Sequence, residues 1–200
     1  MGNVARFRSW VRDMTHLVER HGADEPRMLD EGGTLLNALV SADDWLPGEF
    51  AVPSNESYRQ YLLYCDPLER FCAVSFVWQP GQKTPVHDHT VWGLVGVMRG
   101  EELCREYAGA VAGKPMQQTG EHLVRPGDVD RVSPRIGDIH VVSNPGSAKT
   151  AISIHVYGAN IGAVRRHTFD AATGTPKEFV SGYQNSLLPN LWDRSKEPRS

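Results

Sequence analysis

From Tyr58 onward the chain is cut into short runs rich in valine, isoleucine, tyrosine and tryptophan. They fall at Tyr58–Tyr64, Cys72–Trp78, Trp92–Met98, Leu103–Tyr107, Asp138–Ser143 and Thr150–Tyr157. Turn chemistry separates them at Pro80-Gly81, Arg99-Gly100, Pro126-Gly127, Pro134 to Gly137 and Asn144-Pro145-Gly146. Strands this short cannot bury an apolar face alone, and many of them at regular spacing predict a β-sandwich or barrel. The segment ahead of them is different. Val4, Phe7, Trp10, Val11, Met14, Leu17 and Val18 recur at helical spacing and predict one amphipathic helix. A second helix is expected over Met28–Val40, weakened by Gly32-Gly33 and ended near Asp43-Asp44-Trp45-Leu46-Pro47. The tail after Gly182, with Pro189 and Pro198, reads as irregular chain draped over the surface. These features predict one mainly β domain over residues 1–200: a helical segment at 1–50, a barrel at 58–170 and a tail at 183–200.

Bulk properties remove several function classes. The formal net charge is −3 and no lysine or arginine block stands out, which argues against nucleic acid and anionic membrane as partners. The apolar runs are short, Leu35 to Val40 being broken by Asn37, so no stretch spans a bilayer as a helix. The N-terminus lacks the apolar core of a secretory signal. Cys65, Cys72 and Cys104 have spacings that match no zinc-site or disulfide pattern, and a reducing cytoplasm is the expected location. The oligomeric state is not legible.

His87-Asp88-His89 follows a turn, where a strand is expected to begin. Alternation along a strand puts both imidazoles on one side and Asp88 on the other. Downstream, Ser153, His155 and Tyr157 occupy alternate positions of a strand-like run and share a face. That triplet reads either as a polar patch filling a barrel end or as a hydrogen-bonded chain ending in a phenol.

Two glycine-framed segments resemble the cupin superfamily. The first is Gly81-x5-His87-x-His89-x3-Gly93-x6-Gly100, and the second is Gly127-x6-Pro134-x2-Gly137-x2-His140-x3-Asn144. The resemblance implies a jelly-roll-like β-barrel and a metal held by His87, His89 and His140. Gly93 stands where cupins usually carry a glutamate ligand, so the implied set is three neutral histidines. Imidazole suits iron, zinc, copper and nickel alike. A divalent ion held by neutral donors keeps its full charge and deprotonates a thiol that joins it, and a redox-active metal can also engage dioxygen, which zinc cannot.

With Thr90 and the Ser153-x-His155-x-Tyr157 triplet, the chain over roughly Tyr58 to Phe169 is similar to the thiol dioxygenases that include cysteine dioxygenase. That resemblance implies mononuclear Fe(II), a small thiol carboxylate and O2 as substrates, and Ser153, His155 and Tyr157 as a network beside the metal. Two departures matter. No cysteine lies within Val91-Trp92-Gly93-Leu94, so the tyrosine–cysteine cross-link of the mammalian cysteine enzymes is expected to be absent. Gln60 occupies the position where those enzymes hold the substrate carboxylate with arginine, and an amide cannot form that bidentate ion pair. The pattern is similar to the bacterial branch acting on 3-mercaptopropionate. There a later arginine takes the carboxylate, and Arg166 is the expected residue, with Arg165 second. The expected reaction gives 3-sulfinopropionate. Cysteine dioxygenation is the alternative within the class, and a non-catalytic metal-binding sensor the alternative outside it. Trp92 is expected near the site, and His16, His21, His122 and His167 are expected to be surface or structural residues.

Overall fold

A computed structural model describes residues 4–146 and 149–194. Helix α1 spans Val4–His21 and buries all of its periodic apolar side chains from Phe7 to Val18. Helix α2 spans Glu25–Val40, three residues longer at its start than expected. The extension has a local cause: the Asp24 side chain accepts the Arg27 backbone N–H, and Pro26 sits in the first turn where no N–H is needed. Gly32 does not break this helix. A Cβ there would lie 3.1 Å from Leu94 Cδ1, so the glycine lets α2 settle against the sheet.

The strands are β1 (Arg59–Cys65), β2 (Cys72–Trp78), β3 (Val86–His87), β4 (Gly93–Arg99), β5 (Glu102–Tyr107), β6 (Gln118–Val124), β7 (Val129–Val132), β8 (His140–Ser143), β9 (Ala151–Tyr157), β10 (Arg166–Phe169) and β11 (Pro176–Phe179). They form a five-stranded sheet, β1-β2-β9-β4-β7, and a six-stranded sheet, β11-β10-β3-β8-β5-β6, with antiparallel pairing. This is the cupin jelly-roll barrel with N-terminal helices. The sheet runs on to Phe179, past the expected barrel end at residue 170.

The two sheets differ in what covers them. Every residue of β2 and β9 is buried. One face, with Ala73, Val77, Ile152, Ile154 and Val156, packs under the helices. The other, with Cys72, Val74, Phe76, Trp78 and Tyr157, faces the barrel interior. The second sheet has solvent on its outer side, and β6 and β11 are largely exposed. The tail does more than drape. The Gln60 backbone N–H donates to Gln184 Oε1, and the Asn185 amide pairs with both backbone groups of Leu62, so side chains satisfy the open edge of β1. No helix among the described residues is long and apolar enough to cross a membrane.

Candidate metal centre

His87 ends β3 and stands opposite His140, the first residue of β8. His89 lies two residues beyond β3, off the ladder. The three rings are buried, their centroids are 4.8–4.9 Å apart, and one ligand atom from each lies within 4.8 Å of the others. Each Nδ1 is engaged on the far side: His87 with the Pro85 carbonyl at 3.1 Å, His89 with Asp138 at 2.9 Å, and His140 with Cys104 Sγ at 3.5 Å. That leaves the Nε2 atoms for the shared space. Such outer partners fix the tautomer and aim of a metal-binding imidazole.

The expected strand start at His87-Asp88-His89 is corrected here. The strand stops at His87 because Asp138 accepts the backbone N–H groups of His89 and Thr90, at 3.0 and 2.9 Å. Thr90 then turns the chain with φ at +61°. Burial alone would raise the Asp138 carboxyl, but the His89 ring and these backbone donors hold it below its ordinary value. Asp88 faces the opposite way, as alternation predicts, and accepts from the backbone and ring of His167 at 2.7 and 2.9 Å. Burial, and then the neighbouring His89, pushes His87 down to about 3, and burial first of all drives His140 well below its usual value. Neutral imidazoles with their Nδ1 atoms engaged are suitable donors for a borderline divalent metal.

Ser153, His155 and Tyr157 form one chain along β9. Ser153 Oγ lies 2.8 Å from His155 Nε2, and His155 Nδ1 lies 2.8 Å from the Tyr157 hydroxyl. Trp78 Nε1–H donates to Ser153 Oγ at 3.2 Å. Burial keeps His155 neutral. If Ser153 donates to Nε2, Nδ1–H donates to the phenol oxygen and the phenol proton is free for the cavity. Burial also holds that proton on Tyr157 by raising its pKa. The phenol ring stacks on His89 with centroids 5.3 Å apart. Gly93 makes this placement possible. A Cβ there would come within 3.0 Å of both the Tyr157 ring and Val132 Cγ2, so a ligand side chain at position 93 would displace the phenol.

His87 and His140 of the triad, with His155 and Tyr157 of the chain, line a cavity of about 440 Å³ whose lining also includes Tyr58, Gln60, Arg166, Lys177, Phe179 and Ser181. Arg166 opens β10 and is only 4% exposed, not solvated as paired loop arginines usually are. Its Nη2 donates to Ser181 Oγ at 2.7 Å, and its guanidinium lies 4.7 Å from the Phe179 ring centroid. Its Nε is buried without a partner, and among the described residues no carboxylate pairs with it. Arg165 points outward, 80% exposed, with Glu178 at 3.7 Å. Gln60 reaches the same place, but its amide donates to Ser181 Oγ and the Gly182 carbonyl, at 3.0 and 2.6 Å. Trp92 does not line this cavity; Trp78 does.

Sequence reasoning missed Trp78 as a donor to Ser153, and it missed Glu102. The Glu102 carboxyl is 1% exposed beside Ser153 and Trp78, neither oxygen has a hydrogen-bond partner among the described residues, and burial pushes it up to about 7. Its signal was an acidic residue in phase with Cys104 on the inward face of β5.

The sequence profile of the family described as cysteine dioxygenase type I matches residues 33–170. The chain belongs to that family. It is a thiol-dioxygenase-type cupin, so a small thiol and O2 are the reactants its family implies, and the histidine triad could hold the metal cofactor. Among solved structures it is similar to a Thermus thermophilus protein at 23% identity, covering 56% of this chain and 92% of that one with a TM-score of 0.43. A Klebsiella pneumoniae protein with a double-stranded β-helix domain matches at 20% identity, covering 60% and 94% with a TM-score of 0.47. A cupin superfamily protein from Desulfitobacterium hafniense matches at 13% identity, covering 60% and 94% with a TM-score of 0.44.

Proposed function

We propose that this thiol dioxygenase holds one Fe(II) on His87, His89 and His140 and oxidises 3-mercaptopropionate with O2 to 3-sulfinopropionate. The observation that carries the substrate is Arg166: a buried guanidinium without an acidic partner among the described residues, on a cavity shared with His87 and His140 and lined there by no carboxylate. A buried cation of this kind requires an anion. A thiol carboxylate supplies it while its sulfur reaches the triad. Cysteine would add an ammonium, and the described lining offers that group Arg166 and Lys177 but no acidic partner.

Iron held by His87, His89 and His140 would supply the redox chemistry. The chain's own residues do the remainder. Arg166, steadied by Ser181, receives the carboxylate and sets the distance of the sulfur from the triad. Gln60 acts through the same serine, holding residues 181–182 in place. Ser153 and His155 keep the Tyr157 proton turned toward the reacting groups, and Phe76 stacks on His155 at 4.0 Å and fixes that ring.

Oxygen uptake by iron-loaded protein, with product mass spectrometry, is the test. 3-Mercaptopropionate should give the highest kcat/KM, with L-cysteine and 2-mercaptoethylamine well below it. A clear preference for cysteine would replace the substrate assignment with the cysteine reading. No uptake with any thiol would favour a sensor.

A further inference from the structure

Behind His140, on the side away from the substrate cavity, lies a second group of ligand-bearing side chains. Cys104 on β5 is the direct cross-strand neighbour of His122 on β6, and Asp130 reaches them from β7 in the other sheet. One ligand atom from each lies within 4.8 Å of the others. His122 Nε2 is 2.7 Å from Asp130 Oδ2, and His122 Nδ1 is 3.7 Å from Glu106 Oε1. Cys104 is buried, while His122 and Asp130 are 39% and 25% exposed, so solvent reaches the group. A cavity of about 160 Å³ adjoins it, lined by Cys104, Glu106, Asp130 and His140 among others.

We propose that Cys104, His122 and Asp130 form a second site for a thiophilic divalent cation of the zinc class, distinct from the histidine triad. The donor set is one thiolate, one imidazole and one carboxylate, and zinc binds each of these at about 2.0–2.3 Å in a tetrahedron with water in the fourth place. The ion replaces the direct contact between His122 Nε2 and Asp130 Oδ2, the two atoms moving apart to ligate it. The neutral imidazole then carries its proton on Nδ1, facing Glu106, which is the outer carboxylate such a ligand ordinarily has. The thiol proton of Cys104 leaves to solvent, and the small cavity supplies the water.

The site also touches the first one. Cys104 Sγ is the Nδ1 partner of His140. With zinc bound, that partner is a metal thiolate in place of a neutral thiol, which changes how His140 is held. This consequence rests on the triad reading; the site itself does not.

The test is a Zn(II) titration of iron-loaded protein by calorimetry and elemental analysis, repeated with Co(II) and read by absorption. One zinc per chain should bind with the iron retained, and Co(II) should add the near-ultraviolet thiolate charge-transfer band that the cysteine-free triad cannot give. His122→Ala and Asp130→Asn, both at partly exposed positions, should each weaken binding by more than about tenfold. Cys104→Ser should abolish the band, while Cys65→Ser should keep it. The same zinc stoichiometry in His87→Ala separates this site from the triad. Native zinc affinity in both His122→Ala and Asp130→Asn, or zinc gained only as iron is lost, overturns the proposal.

Discussion

At one end of the cavity each ring of the triad already has a partner for its outward nitrogen: a carbonyl, a carboxylate and a thiol. At the other end Arg166 is buried with one hydrogen bond to Ser181, an orphaned Nε and no acidic partner among the described residues. On the proposed reading the first region lacks only a metal, and the second only an anion. The chemical end is therefore prearranged by the protein, and its cost of order is met before any ligand arrives. The anchoring end carries a buried cation with no acidic partner among the described residues, and on the proposed reading that favours a substrate carboxylate.

The comparison breaks most visibly at the triad. Replacing His87, His89 or His140 by alanine should remove most of the iron and nearly all turnover, because two neutral donors do not retain the ion. Full iron retention in His140→Ala, read by elemental analysis, would falsify the ligand assignment.

Arg166→Ala comes next. It removes the only charge partner proposed for the carboxylate, a loss of about 2–5 kcal/mol, so kcat/KM for 3-mercaptopropionate should drop at least about tenfold. The loss should shrink for 2-mercaptoethylamine, which has no carboxylate. Equal losses for the two thiols would mean that Arg166 only supports the fold.

Glu102 sharpens the contrast, since it is a buried acid behind the chemical end. Its folded pKa is raised, to about 7, so its contribution to stability is fully present below the ordinary carboxyl range. That contribution is lost as pH rises toward 7. Relative to Glu102→Gln, the native protein should lose about 3 kcal/mol between pH 4.5 and 7.5. Parallel denaturation midpoints for the two proteins across that interval would show that the carboxyl is hydrated or paired.

Tyr157→Phe should keep its iron and lose about 1–3 kcal/mol in the rate step, up to roughly a hundredfold. His155→Ala should resemble it. Native turnover in both would reduce the β9 chain to filler. The smallest effect belongs to Gln60→Ala. Its amide lines the cavity but donates to Ser181 and the Gly182 carbonyl, so about 0.5–1.5 kcal/mol is expected, mostly in KM. A loss larger than that of Arg166→Ala would transfer the carboxylate to Gln60.

Legibility in the sequence followed burial. Strands β2, β4 and β9 are enclosed on both faces, which makes them continuous apolar runs that stand out unaided. Strands β6, β7, β10 and β11 have no such signature, because most of their residues are exposed or only half-buried. The short spacings His87-x-His89 and Ser153-x-His155-x-Tyr157 were readable, since alternation along a backbone is local geometry. Asp138, the residue that aims His89, was not, because it acts across 49 positions.

By itself, then, the chain's pattern determined a β-barrel behind two helices and which side chains share a face, for these depend on neighbours a few residues away. Tertiary structure alone decided that Arg166 is buried while Arg165 is solvated, that Gln60 spends its amide on the tail, and that Glu102 lies behind Ser153. Each of those outcomes turns on desolvation, and desolvation is set by whichever distant segment closes over a side chain.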